Sequence, residues 1–300
     1  MSEKLQILGK TDSRKKKIFI NGLKVLISIA FLYFVFKKIP FREVAKIWST
    51  VHVLYVIFGA FFFLASQILS VKRLDFYLKA NSFNLSFRSN LELYFLGMFY
   101  NFFIPGGIGG DAYKVYILNK KLGWELKKIT SAIFNDRLSG LLAICVLILI
   151  FSLFLLPLQW IGLMVIMMIA GFSLTYFLVK KLFPVYTPIF FKTFFISIVI
   201  QLLQVICFLF LIKSLGLNEN YLIYMIVFLG SSILSLISFA GIGVREFLFL
   251  QASGYFNFNA SVSVSASLLF TVITAFFSLF GLVIMFTKRV DEIKENKEFT

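Results

Sequence analysis

Six stretches of this sequence, residues 18–36, 53–70, 138–156, 161–179, 193–212 and 261–286, each run eighteen residues or more with almost no charge. About twenty apolar residues coiled as a helix cover the roughly 30 Å hydrocarbon core of a bilayer. Hydrocarbon offers backbone N–H and C=O groups no partner, and a helix satisfies them within the segment itself. The expected fold is therefore an all-α polytopic membrane protein with about six crossing helices. Composition excludes a soluble alternative: 60% of the 300 residues are hydrophobic, 40 residues are Phe, and the mean hydropathy is +0.92. A soluble domain of this size cannot hide that much apolar surface.

Two further apolar runs, 93–110 and 221–243, are broken by glycine. The first ends Ile104-Pro105-Gly106-Gly107-Ile108-Gly109-Gly110-Asp111, and the second ends Gly241-Ile242-Gly243-Val244-Arg245-Glu246. Each is preceded by Phe-Leu-Gly, at Phe95-Leu96-Gly97 and Phe228-Leu229-Gly230. Pro105 cannot continue a helical hydrogen-bond ladder, and the glycines permit backbone that other residues avoid. Irregular backbone at membrane depth survives only where protein or a wet cavity covers it. Paired breaks in corresponding positions of two halves point to a transporter-like internal repeat.

Charge decides how these runs sit. If both are re-entrant helical hairpins, the N-terminus, 71–88, 114–131, 180–192 and the C-terminus share one side and hold 22 Lys and Arg residues. The opposite side holds five, Lys37, Lys38, Arg42, Lys46 and Lys213. This bias places the richer side, and both termini, in the cytoplasm of a cell whose cytoplasmic membrane houses the chain. The two hairpins then enter from opposite faces, as an inverted repeat. Arg14-Lys15-Lys16-Lys17 before residues 18–36 reads as the flank of an uncleaved first span, because no small-residue cleavage site follows. The net charge of +16 lies mostly in short loops, so it marks topology and lipid-headgroup attraction, with no nucleic-acid partner expected.

Ionisable residues at the breaks are the candidates for chemistry. Asp111 is placed to cap the helix that starts after Gly110, where free N–H groups suit a phosphate or carboxylate. Packing is the alternative use of Gly106 and Gly110, which stand at G-x-x-x-G spacing. Arg245 and Glu246 either line a wet site or neutralise each other at an interface. Asp136 and Arg137, in Asn135-Asp136-Arg137-Leu138-Ser139-Gly140, open the span at 138–156, and a guanidinium fork matches phosphate. Arg73 reads as solvated charge, and Asn101 as a side chain that satisfies backbone groups freed by the break. Cys145 and Cys207 read as small buried hydrophobes, and His52 has no ligand set around it, so neither metal nor cofactor is expected.

The motifs Asn101-x3-Pro105-Gly106-Gly107-x-Gly109-Gly110-Asp111, Asp136-Arg137-x2-Gly140-Leu141 and Gly241-x-Gly243-Val244-Arg245-Glu246 resemble, in order, those of the flippase-like membrane domain family. That family includes the transmembrane region of lysylphosphatidylglycerol synthases. Ser70-x2-Arg73 resembles its upstream motif, with Leu74 where a Trp is expected. The resemblance covers about 15–287, and the chain divides into a basic segment 1–17, a flippase-like domain 18–287 and a tail 288–300. It implies translocation of a phospholipid or polyprenyl-phosphate-linked lipid between leaflets. Asn101, Pro105, Gly106, Gly107, Gly109, Gly110, Asp111, Asp136, Arg137, Gly241, Gly243, Arg245 and Glu246 would line the path. The alternatives are a non-transporting partner of a separate lipid synthase or glycosyltransferase and an intramembrane lipid-modifying enzyme. No nucleophile, metal or nucleotide motif supports the enzyme.

Overall fold

The computed structural model describes residues 33, 37, 41–103, 109–217, 221–235 and 242–286. Among them are ten α-helices and no strand. These are α1 (Phe41–Ser49), α2 (Val53–Lys79), α3 (Phe87–Phe103), α4 (Gly109–Leu122), α5 (Leu126–Ser152), α6 (Leu158–Leu182), α7 (Phe190–Ser214), α8 (Tyr221–Leu234), α9 (Val244–Phe256) and α10 (Ala260–Phe286). A 3-10 turn, Pro184–Ile189, leads into α7. Helices α2, α5, α6, α7 with its leading turn, and α10 are long and apolar enough to cross a membrane. They coincide with five of the six expected spans. The sixth, 18–36, lies outside the described residues except Tyr33, as do Pro105, Gly106, Gly107, Gly241 and the segments 1–17 and 288–300.

The central contact is α2 along α7. On α2 the buried residues Gly59, Phe63, Ser66, Ser70, Arg73 and Tyr77 recur every three or four positions, so they form one stripe. On α7, Thr193, Ser197, Ile200, Cys207 and Leu211 form the facing one. Tyr77 donates to Thr193 Oγ1 at 2.8 Å, while Phe62 stacks on Phe210 at 5.5 Å near the opposite ends. The start of α2 therefore meets the end of α7, and the two run antiparallel. Gly59 permits the closest approach, since a Cβ there would stand 3.3 Å from the Cys207 carbonyl oxygen. Small residues matter because lipid-facing helices associate by packing rather than by the hydrophobic effect.

Helices α2 to α5 and α7 to α10 are two copies of one plan. Each has a long helix, a helical hairpin and a second long helix, with lengths of 27, 17, 14 and 27 residues against 25, 14, 13 and 27. The hairpins exchange packing: α3 lies on α10, and α8 lies on α5. Since α2 and α7 are antiparallel, the copies run in opposite directions, which is the inverted repeat. Within each copy the hairpin helices fold back on one another. Tyr100 stacks on Tyr113 at 4.0 Å, and Arg245 of α9 bonds Ser231 of α8 at 3.2 Å.

Local chemistry sets the joints. Gly123 adopts φ +69° just past α4, the left-handed conformation that closes helices, and its N–H reaches the Asn119 carbonyl at 3.0 Å. Trp124 then stacks on Phe83 at 4.3 Å, and α5 begins. That start, Leu126, is twelve residues earlier than the apolar run at 138 suggested. Asp136 and Arg137 thus lie inside the helix, because their charges are met by partners rather than by water. The expected loop at 37–46 is partly helix as well: in α1, Val44 is buried and Arg42 and Lys46 point outward. Cys207 is buried as expected, whereas Cys145 is exposed on the outer face of α5.

Candidate functional site

The hairpin α3–α4 closes on glycine. Gly110 abuts the Gly97 carbonyl with no room for a Cβ, and its N–H donates to Asn101 Oδ1 at 2.9 Å. Asn101 thereby satisfies one of the free N–H groups at the start of α4. Asp111, expected as the cap, is in the first turn of a helix that begins at Gly109 and serves other donors. Arg137 grips it with both forks, Nε to Oδ2 at 2.9 Å and Nη2 to Oδ1 at 3.0 Å, and Lys114 donates to Oδ1 at 3.3 Å. Two cations outbid a backbone N–H for a carboxylate. Lys114 is 4% exposed and stands 4.6 Å above the ring of Tyr94, whose hydroxyl donates to Gln67 of α2. Arg137, by contrast, leaves half its side chain exposed.

Its neighbour Asp136 points the other way, into the protein. Arg73 donates from Nε to Oδ1 at 2.7 Å and from Nη2 to Oδ2 at 3.1 Å, and both side chains are more than nine-tenths buried. Arg73 Nη1 also donates to Ser197 Oγ at 2.9 Å, so one guanidinium joins α2, α5 and α7. Gly140 makes space for it, since a Cβ there would sit 3.1 Å from Nη1. The spacing Asp136-x3-Gly140 is thus a seat for Arg73. Arg73 is buried structure, contrary to its reading as solvated charge. Its signal in the sequence was the polar stripe Ser66, Ser70, Arg73, Tyr77 on an otherwise apolar helix.

The second hairpin is organised differently. Gly243 takes φ +83°, and its N–H donates to Glu246 Oε2 at 2.7 Å. Glu246 Oε1 accepts from Ser267 at 2.9 Å and Thr271 at 3.3 Å on α10, and Glu246 is fully buried. Arg245 is 8% exposed, with Nε bonded to Ser231 Oγ at 3.2 Å. Its guanidinium carbon lies 4.7 Å from the Phe270 ring centre and 5.6 Å from that of Phe228. Arg245 and Glu246 therefore do not form an ion pair; each faces its own partners. Replacing Glu246 with alanine strands the Gly243 N–H at an expected cost of about 1–3 kcal/mol. Glutamine keeps an acceptor, so Glu246→Gln should melt nearer to wild type in detergent, and equal melting of both variants with wild type would refute the capping role.

The two sites share a geometry inherited from the repeat. The acid after each break reaches a residue 26 or 25 positions later on the following long helix, Asp111 to Arg137 and Glu246 to Thr271. Among the described residues no hydrogen bond or ion pair joins the Asp111–Lys114–Arg137 group to Arg245 or Glu246, because each group is built within its own repeat. Lys114 was missed in the sequence, where it looked like an ordinary loop cation. The ring cage of Arg245 was missed too, because Phe228 and Phe270 are lost among the many phenylalanines.

Five membrane-length helices, two antiparallel copies and a glycine-broken hairpin in each define a multi-pass α-helical membrane protein. Residues 22–281 match the family described as the lysylphosphatidylglycerol synthase TM region. The chain belongs to that family, which ties it to lipid metabolism. No curated protein matches the sequence.

Proposed function

We propose that this protein translocates a lipid between the leaflets of the cytoplasmic membrane. The observation that carries the reading is the pair of hairpins on opposite-running repeats, each with ionised side chains in the turn after its break. A charge at hydrocarbon depth costs about 2.5–3.5 kcal/mol on insertion scales, so ionisable residues there favour a role on a substrate path. In this reading both hairpins are re-entrant, from opposite faces, and both termini are cytoplasmic. Asn101, Gly109, Gly110 and Gly243 shape the helix starts at the two breaks. Asp111, Arg137, Arg245 and Glu246 set the charge along the path, and Asp136 holds its helix in place. A separate lipid synthase or glycosyltransferase supplies or consumes the lipid.

Arg137 supplies the working step. Its fork is held by Asp111 in this structure, and a headgroup phosphate presents the same two-oxygen geometry. Exchange of one for the other keeps Arg137 paired, while Lys114 remains on Asp111. In proteoliposomes carrying fluorescent lipids, wild type should speed leaflet exchange. Arg137→Gln should slow it roughly tenfold or more, equivalent to about 1.4 kcal/mol on the barrier. Asp111→Arg combined with Arg137→Asp restores the ion pair in reversed order; recovery of melting without recovery of exchange is expected. Folded wild-type protein that moves no charged lipid would refute the reading.

A further inference from the structure

We infer that α1 is an interfacial helix whose basic face binds anionic phospholipid headgroups of the leaflet opposite the cytoplasm, beside the open end of the second hairpin. The inference concerns the lipid surface around the protein, whichever lipid is moved, and only its choice of leaflet rests on the topology proposed above.

Charge sets this part of the chain apart. Four cations, Lys37, Lys38, Arg42 and Lys46, fall within 37–46, on the side where short membrane loops are ordinarily poor in Lys and Arg. Across 37–52 and 213–220 five cations stand against two acids, Glu43 and Glu219. The helix divides into two faces. Val44 is buried and Ile47 and Trp48 are partly buried, spaced by three and four residues. Arg42, Ala45, Lys46 and Ser49 are exposed along the other side, and Lys37 is exposed just before the helix. This is the division of a helix lying in a membrane surface, with its apolar side inward, its cations among headgroups and a Trp at the boundary.

Two bonds fix where α1 lies. Trp48 Nε1 donates to the Ser265 carbonyl at 3.3 Å, in the second turn of α10. The His52 N–H donates to the Ser214 carbonyl at 3.0 Å, at the end of α7. Near the start of α8, Tyr224 meets Ser263 Oγ at 3.5 Å and the Phe258 ring at 4.8 Å, so the second hairpin opens at this same end. Nine residues make a short helix, and isolated helices under about 12–15 residues are marginal in water. Its apolar side chains on the core supply part of the hold. Headgroup phosphates against Arg42 and Lys46, which share one face four residues apart, supply the rest. A phosphate suits both, since a guanidinium takes two of its oxygens and an ammonium meets it as a point charge.

Hydrogen exchange of the α1 amides tests this in the full chain held in lipid nanodiscs. When discs of phosphatidylcholine alone are replaced by discs that also contain phosphatidylglycerol, exchange over 41–49 should slow roughly tenfold, within reach of two cations at an anionic surface. High salt should erase the gain. Arg42→Gln combined with Lys46→Gln should remove the response to phosphatidylglycerol while leaving exchange in phosphatidylcholine, and melting, near wild type. Equal exchange in the two compositions overturns the inference, as does a response that survives the double variant. Polyglutamate slowing exchange in phosphatidylcholine discs as fully as phosphatidylglycerol does would assign the surface to an acidic peptide and overturn the lipid assignment. The leaflet is read with Ser49→Cys and a membrane-impermeant maleimide on spheroplasts, with the wild-type chain as background. Labelling above that background supports the outward face, and labelling only after lysis overturns the choice of leaflet. A response of α1 to phosphatidylglycerol in protein that moves no lipid refutes translocation and leaves this surface standing.

Discussion

Arg73→Ala is expected to destabilise this protein more than any other single charge removal. The substitution leaves the Asp136 carboxylate buried, with neither oxygen met, in the middle of a three-helix contact. Breaking a buried ion pair from one side costs about 3–5 kcal/mol, since the surviving charge has neither water nor partner. Ser197 loses its donor as well, so α7 is loosened together with α5. The partner experiment separates the pair's worth from the penalty of breaking it. Arg73→Met with Asp136→Leu removes both charges at similar volume, and such exchanges are often neutral or stabilising. Thermal unfolding in detergent should therefore place the double variant well above Arg73→Ala. A double variant as unstable as the single one would mean that the pair holds the helices by direction, through the Ser197 bond, rather than by balance of charge.

How much of this was legible in the sequence follows the same division between local and distant. The long apolar runs are a local property, and the described spans appear where those runs are. The hairpins also announced themselves locally, through glycine, and Asn101 could be assigned to the freed backbone from its position one turn before Pro105. What stayed hidden was partnership. Arg73 and Asp136 are 63 positions apart, and nothing in either neighbourhood names the other. Arg73 beside Lys72 looks like solvated charge until α5 is laid across it. The start of α5 was misjudged for the same reason: twelve polar-rich residues read as loop when the acid that would bar them from a helical interior has no visible cation. Lys114 reads as one lysine in a basic segment, and only the fold shows it beneath Tyr94. The assembly of the charges into two groups was hidden because the copies differ in chemistry. An acid gripped by two cations in one copy corresponds, in the other, to an acid that caps its own helix beside an arginine with no ion pair among the described residues.

Glycine 110 carries the second large effect. A methyl group there falls inside the contact radius of the Gly97 carbonyl oxygen and stands 2.7 Å from both the Gly97 carbonyl carbon and Asn101 Cγ. The first two of these atoms are backbone, so they yield only if α3 and α4 separate. Overpacking ordinarily costs about 1–3 kcal/mol, and a backbone obstruction belongs at or above the top of that range. Asn101 is pushed off at the same time, which exposes the Gly110 N–H that it satisfied. Neighbouring glycines supply internal controls. At Gly97 the added carbon meets the Lys114 side chain, a flexible stem that can swing aside, though only by leaving Asp111. At Gly109 the nearest atom is the Tyr100 carbonyl oxygen at 3.3 Å, which needs a shift of a few tenths of an ångström. Detergent melting should thus fall in the order Gly109→Ala, Gly97→Ala, Gly110→Ala, with the last well separated from the first. Lipid exchange should follow a different order, because Gly97→Ala disturbs the Lys114–Asp111 contact beyond its cost in stability. If Gly110→Ala melts with wild type, the hairpin is not closed by this contact, and the case for two glycine-hinged hairpins loses its first member.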